Sequence, residues 1–281
     1  MTEDNQAIFF YSRHPISAAI VRARLIAERG NLDGLRPEDL FAYDQDHYGG
    51  LEANDALALA AGLAPGMRVA DFCAGLGGPA RYYAHRYGVD VTGVDLTPDR
   101  VAGGNALTRL VGLEGRVRIV EGNVLAVPFG DASFDCVVSQ EALLHVPDRG
   151  QAIREAFRIL RPGGRLAFTD LVAHAILAAD DAQLLWDGMA ILAPESPATY
   201  RRKVTDAGFR IVSEFDRTEE LFAILKERLA MYRKLRTEAE RAGTPAGHDA
   251  FHRSYVRFAE LARQRVLGGI RIAAEKAPVT L

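Results

Sequence analysis

The chain has 281 residues, of which 48% are hydrophobic and 25% charged, and its formal charge is −3. That length carries one large domain with an appendage, and the composition excludes disordered, collagenous and coiled-coil chains. Arginine outnumbers lysine by 30 to 4, yet without a net basic excess nothing points to nucleic acid as a partner.

Only Cys73 and Cys136 occur, both in apolar runs, so the expectation is a reducing compartment and no disulfide framework. Residues 1–6 lack the basic start and apolar stretch of a signal peptide, and no apolar run reaches the roughly 18 to 20 residues that cross a bilayer. The reading is a cytoplasmic protein with no membrane partner.

Residues 1–50 read as an N-terminal helical arm: apolar residues recur at helical spacing over 15–28 before Gly30, Asn31 and Gly34 interrupt them. An Ala/Leu-rich helix follows over 51–61, ended at Gly62 just before a strand at 67–72. Further strands at 89–95, 117–121, 134–139, 165–169 and 209–215 alternate with helix-length segments. Such alternation means an α/β fold with a parallel sheet covered by helices on both faces, here spanning 51–215. Thr97-Pro98 opens one helix, and Asp148 opens another that carries Ile153, Ala156, Phe157 and Leu160 on one face and stops at Pro162-Gly163-Gly164.

Beyond 215 the alternation gives way to two charged amphipathic stretches, 219–241 and 250–267, separated by a turn at 242–247. The helical insertion, 216–268, either lies over the strand ends as a lid or packs on the sheet flank or on a second subunit, which leaves a homodimer open. Residues 269–281 return to the core, with a last strand at 270–274.

The most informative stretch runs from Val69 to Arg81, an apolar strand entering a glycine-rich turn that opens a helix. Gly75 and Gly77 let the backbone bend tightly against a ligand, while Gly78 and Ala80 allow the new helix to pack closely. The spacing also satisfies the dinucleotide pattern of the dehydrogenases. Asp71 argues otherwise: a carboxylate beside the loop suits a cation and repels a diphosphate. Asp95 ends the second strand, placed to accept hydrogen bonds from ribose hydroxyls. An adenosine carrying a positive group is implied.

In their order, Asp71-Phe-Cys-Ala-Gly-Leu-Gly-Gly78, Asp95, Gly122-Asn-Val-Leu-Ala-Val-Pro-Phe129, Ser133-Phe-Asp135 and Leu160-Arg-Pro-Gly-Gly164 resemble the class I S-adenosylmethionine-dependent methyltransferases over residues 40 to 215. The resemblance implies a Rossmann-like seven-stranded, mostly parallel sheet of order 3-2-1-4-5-7-6 with the last strand antiparallel. It implies S-adenosyl-L-methionine as cofactor, held by Asp71, Ala74, Gly75, Gly77, Asp95, Leu96, Asn123, Val124 and Gln140. Asn123 stands where the family often has an Asp toward adenine; its amide oxygen still accepts from the exocyclic amine, without charge assistance. Gly-Leu-Gly-Gly-Pro-Ala-Arg, followed by Ser139-Gln-Glu-Ala-Leu-Leu-His-Val-Pro-Asp148, is similar to the sarcosine/dimethylglycine, phosphoethanolamine and natural-product branch, which implies a small-molecule substrate.

Methyl transfer is a displacement at an activated carbon, so positioning supplies most of the acceleration. An amine needs only to arrive unprotonated, whereas a hydroxyl benefits from a base. His145 and Asp170 sit at strand ends beside the methyl group; the resemblance to sugar O-methyltransferases casts His145 as base and Asp170 as its orienter, with Leu144 where those enzymes often carry a second His. Glu141 is placed to hold a cationic amine or to pair with an Arg. Tyr43, His47 and Tyr48 offer faces to a sulfonium or ammonium, as do Trp186 and Tyr200, or else they anchor turns in the core. No metal-ligand spacing occurs. The reading slightly favours transfer to an amine nitrogen, with natural-product O- or C-methylation as the alternative and a non-catalytic adenosine-binding or scaffold protein as the rival of another class.

Overall fold

In the computed structural model, which describes residues 3–12, 14, 16–241 and 249–278, the alternating runs form one sheet. Its strands are β1 (Arg68–Phe72), β2 (Asp90–Asp95), β3 (Val117–Glu121), β4 (Phe134–Gln140), β5 (Leu160–Ala173), β6 (Phe209–Asp216) and β7 (Leu267–Lys276). The spatial order is β3-β2-β1-β4-β5-β7-β6, with β7 antiparallel to both neighbours, as the family topology implies.

Helices α1 (Glu3–Tyr11), α2 (Ala18–Arg29) and α3 (Gly50–Ala61) precede the sheet. Between strands run α4 (Gly78–Tyr87), α5 (Pro98–Leu110), α6 (Arg149–Ile159), α7 (Ala179–Met189) and α8 (Pro197–Asp206). The hairpin α9 (Thr218–Arg241) and α10 (Asp249–Arg263) completes the chain before β7. The turn expected at 242–247 lies outside the described residues. Among the described residues no helix is long and apolar enough to cross a membrane.

Both faces of the sheet are buried, which is what parallel strands without alternating polarity require. Ala70, Val137 and Phe168 pack on one face with Ile153 and Ala156 of α6 and Val204 of α8. Val69, Val91 and Val138 pack on the other with Leu57 of α3 and Ala80 and Tyr83 of α4. Local chemistry sets the helix ends. Ser17 Oγ accepts from Ile20 N–H at 3.3 Å at the start of α2, and Asp148 Oδ1 accepts from Gln151 N–H at 2.9 Å at the start of α6. The α6 helix stops at Ile159, earlier than the Pro-Gly-Gly signal: Leu160 is extended and pairs with Phe134, because Pro162 disfavours helix in the residue before it and β5 begins there.

The arm differs most from expectation. Residues 3–11 are helical although their apolar residues run together without helical spacing, so α1 is a helix by virtue of what it docks against. Further along the arm, Asp44 is fully buried against Arg81 of α4, whose Nη2 donates to Asp44 Oδ2 at 2.7 Å and whose Nη1 donates to Gly104 O and Thr108 Oγ1 at 3.1 Å. A Cβ at Gly78 would stand 2.1 Å from the Asp44 carbonyl oxygen, so this glycine serves the arm as well as the helix start. The pair therefore pins residues 44–48 over the first turn of α4.

Removing one partner of such a pair strands a buried charge. Asp44→Ala should cost about 3–5 kcal/mol in urea unfolding, whereas the double change Asp44→Leu/Arg81→Met should cost less than the single one. A single-mutant loss under about 1 kcal/mol would show that the pair does not hold the arm.

Candidate active site

The carboxyl ends of β1, β2, β4 and β5 open into a cavity of ≈ 230 Å³ that is closed by α1, residues 44–48, α9 and α10. The glycine turn forms its floor. Gly75 has φ 56, a conformation that side chains disfavour, and a Cβ added there would meet only Arg100 Nη1, at 3.8 Å. Gly77 lies outside the lining; a Cβ there would meet Ile119 Cδ1 at 2.7 Å, so it serves the turn and its packing.

Two carboxylates stand beneath this turn. Asp95 Oδ2 accepts from Gly75 N–H at 2.7 Å and Oδ1 from Thr97 N–H at 2.9 Å, which ties the first two strand-end loops together and leaves lone pairs facing the cavity. Burial raises the Asp95 pKa while those two N–H groups oppose the rise. Asp71 is buried and its Oδ2 has no hydrogen-bond partner. Burial first, and the Asp95 charge second, push its carboxyl up to about 8. An unpartnered, nearly dry carboxylate calls for a cation.

Ala74, Leu96, Asn123, Val124 and Gln140 also line the cavity. Asn123 Oδ1 accepts from Leu125 N–H at 2.9 Å, holding its own loop and keeping one lone pair. Gln140 Oε1 accepts from the Tyr83 hydroxyl at 2.7 Å.

On the acceptor side the arrangement departs from the sequence reading. The short turn Leu143–His145 swings His145 away from Asp170 and toward α1. There His145 Nδ1 lies 2.8 Å from the Ala190 carbonyl and Nε2 lies 2.8 Å from the Tyr11 hydroxyl. Ala190, not Asp170, orients the imidazole. Asp170 instead accepts from the Tyr200 hydroxyl and, through Oδ1, from Leu144 N–H at 3.2 Å; burial raises its carboxyl to about 6. Tyr200 is fully buried in this contact and does not face the cavity. Trp186 and Tyr43 are likewise outside the lining, Tyr43 bonding Glu28 on the surface of the arm.

Glu141 and the 45–48 segment do meet the cavity. Arg217 Nη1 donates to Glu141 Oε1 at 2.6 Å, and Tyr48 N–H donates to Glu141 Oε2, so the charge of Glu141 is matched within the chain. His47 is buried, with Nε2 3.1 Å from Gln45 Oε1, and burial lowers its pKa. Tyr48 packs under Arg228, whose guanidinium carbon is 4.7 Å from the ring centroid.

Residues 70–168 match the family described as Methyltransferase domain. That stretch is similar to the class I methyltransferases. Residues along the chain are 34% identical over 159 residues to a sarcosine/dimethylglycine N-methyltransferase of Halorhodospira halochloris, covering 57% of either chain. They are 35% identical over 165 residues to the 27-O-demethylrifamycin SV methyltransferase of Amycolatopsis mediterranei, covering 58% of this chain and 61% of that one. The match thus spans less than two thirds of these relatives. A crystal structure from Galdieria sulphuraria, described as a putative sarcosine dimethylglycine methyltransferase, shares the fold, with TM-score 0.73, 20% identity and coverage of 94% and 99%.

The cofactor of this methyltransferase class is S-adenosylmethionine, and the residues present fit it. Asp71 Oδ2 suits its ammonium, Asp95 its ribose hydroxyls, and the Gly75 bend leaves space that a side chain would fill.

Sequence reasoning missed Tyr11, Arg100, Arg217 and Arg228, all of which line the cavity. The Phe9-Phe10-Tyr11 run was the one local signal in the arm. Arg100, over whose guanidinium carbon the Tyr11 ring centroid lies 4.8 Å away, sits one turn into the helix that follows Asp95.

Asp95→Ala should weaken S-adenosylmethionine binding by roughly tenfold or more, since hydrogen bonds to a charged acceptor are each worth about 1.5–3 kcal/mol. Calorimetry, with thermal melts to check folding, measures this; unchanged affinity would remove Asp95 from the site.

Proposed function

We propose that the domain transfers the methyl group of S-adenosylmethionine to an oxygen of a small, largely apolar metabolite, with Tyr11 and His145 receiving the displaced proton. The observation that carries this reading is the hydrogen-bonded chain from the Tyr11 hydroxyl through His145 to the Ala190 carbonyl. A carbonyl only accepts, so His145 Nδ1 carries the proton and Nε2 is left as acceptor for Tyr11. Burial lowers the His145 pKa to about 4, which keeps the imidazole neutral at ordinary pH. Burial also raises the Tyr11 pKa, so the phenol stays protonated and acts as a conductor.

When bound, S-adenosylmethionine supplies a methyl carbon already activated by its sulfonium. The chain's own part is to orient and to move one proton. An acceptor hydroxyl donates to the Tyr11 oxygen; as the new bond forms, that proton passes to Tyr11 while Tyr11's own passes to His145 Nε2. Leu144, Met189, Ile191, Leu221 and Phe258 line the same cavity, which suits an apolar body and excludes water.

Transfer to nitrogen remains the second reading, and the sarcosine/dimethylglycine relative favours it. That reading needs no base, and an amine arriving in its cationic form would be drawn to an acid of unmatched charge on the acceptor side. The ion pair of Glu141 with Arg217 supports oxygen over nitrogen, because it leaves Glu141 no unmatched charge for a cationic amine, while Asp170 is occupied by the Tyr200 hydroxyl and Leu144 N–H.

Incubation with labelled cofactor and a fractionated metabolite pool, followed by mass spectrometry, identifies the acceptor. With it in hand, His145→Ala and Tyr11→Phe should each lower kcat by roughly 10²–10⁴, with cofactor affinity unchanged. Because the imidazole stays neutral down to about 4, the acid limb of the kcat profile should fall well below the ordinary histidine range. Losses under threefold in both variants would favour simple positioning of an amine.

A further inference from the structure

Three guanidinium groups line the cavity, and two of them are matched by carboxylates. Arg100 Nη1 donates to Asp46 Oδ2 at 2.8 Å, and Arg217 pairs with Glu141 at 2.6 Å and Glu220 at 2.8 Å. Arg228 is different. Its Nη2 donates to the His47 carbonyl at 2.7 Å and its guanidinium lies over the Tyr48 ring, but among the described residues it has no carboxylate partner. One neutral acceptor and one ring face leave most of its donors and its whole charge unmatched.

From Arg228 a continuous aromatic wall leads to the base. Tyr48 and Phe258 have ring centroids 6.2 Å apart, Phe258 and Tyr255 6.3 Å, and Tyr255 and Phe251 5.8 Å. Phe251 then stacks on Phe10 at 6.4 Å, and Phe10 on His145 at 6.4 Å. Every member of this row lines the cavity, and the row is built from four separate parts of the chain: α1, the 45–48 segment, the turn after β4, and α10. It therefore reads as one surface with a cation at one end and a proton acceptor at the other.

We propose that the acceptor is an elongated apolar molecule with an anionic end group, a carboxylate or a phosphate, bound by Arg228, while its hydroxyl reaches Tyr11 and His145 along the aromatic wall. This rests on the oxygen-transfer reading above and adds the substrate class. A fully solvated anion would gain little from Arg228, but a guanidinium held against Tyr48 and the His47 carbonyl is oriented and partly desolvated, which strengthens its hold on an anion. The wall supplies the apolar contact and fixes the distance between the two polar ends. Arg100, already over the glycine bend, leaves Arg228 to the acceptor.

The test is calorimetric binding to the complex with S-adenosylhomocysteine, using medium-chain ω-hydroxy fatty acids, the corresponding α,ω-diols and the corresponding ω-amino alcohols. The hydroxy acids should bind tighter than the diols by roughly tenfold or more. Arg228→Met should erase that difference, Arg228→Lys should restore part of it, and S-adenosylhomocysteine affinity should stay the same in both. Equal binding of acids and diols, or tighter binding of the amino alcohols, would overturn the proposal. So would a loss of S-adenosylhomocysteine affinity in Arg228→Met, which would assign Arg228 to the cofactor's carboxylate. Failure of the wild-type chain to bind S-adenosylhomocysteine at all would instead overturn the methyl-transfer reading on which this one stands.

Discussion

Asp71 sits near the carboxyl end of β1 with Oδ2 unpartnered, shielded from water and within the field of the Asp95 charge. Desolvating a carboxylate costs several kcal/mol unless a counter-charge or hydrogen bonds offset it. Asp95 has two backbone N–H donors; Asp71 does not have the equivalent. The sheet edge therefore sets the Asp95 carboxylate, and an Asp71 carboxyl that ionises only beside a cation, under a glycine bend that no side chain fills. A diphosphate is repelled from such a place, and a nucleoside bearing positive charge is drawn to it. The remainder of the cavity is arranged around that preference.

Ion pairs inside the chain build the walls and leave selected groups uncommitted. Asp44 and Arg81 clamp the arm to the helix after the glycine turn, which puts His47 and Tyr48 at the cavity. Glu141 and Arg217 join the end of the fourth strand to the start of the helical hairpin, and Glu141 does so from a backbone with φ 50, a conformation that costs energy in any residue with a side chain. Such strain is tolerated where surrounding contacts over-determine it. With these charges matched, the groups left facing an acceptor are the neutral pair Tyr11 and His145 and the cation Arg228. The chemistry follows from what the scaffold has not already neutralised.

The strand, turn and helix from Val69 to Arg81 and the acid at Asp95 were legible because they are local: periodicity, glycine spacing and a strand-end carboxylate lie within short stretches of chain. The sheet order came with the resemblance. The acceptor side was not legible for the opposite reason. His145 is oriented by Ala190 and Tyr11, residues 45 and 134 positions away in the chain, and neither contact leaves a mark on the residues beside His145. Asp170 looked like its partner because the sequence pattern stops the fifth strand at 169, yet β5 runs on to Ala173 and aims Asp170 at Tyr200 in the core. The helix α1 lacks an amphipathic stripe, since Ile8, Phe9, Phe10 and Tyr11 run consecutively, and of these only Phe10 and Tyr11 line the cavity while Phe9 is exposed. Tertiary contact, not local pattern, makes that segment helical.

Asp71 is a carboxyl that holds a proton until a cation arrives. With its pKa near about 8, Asp71 is largely protonated at neutral pH, and binding an ammonium beside it favours the charged form and expels the proton. Calorimetric titration of S-adenosylmethionine near pH 7, in buffers of different ionisation enthalpy, counts that proton. The predicted result is a binding enthalpy that varies with the buffer in proportion to about one proton released, and that loses this variation in Asp71→Asn. Tight binding with no dependence on the buffer would contradict the account, because the ligand would then be recognised without the charge beneath the glycine bend.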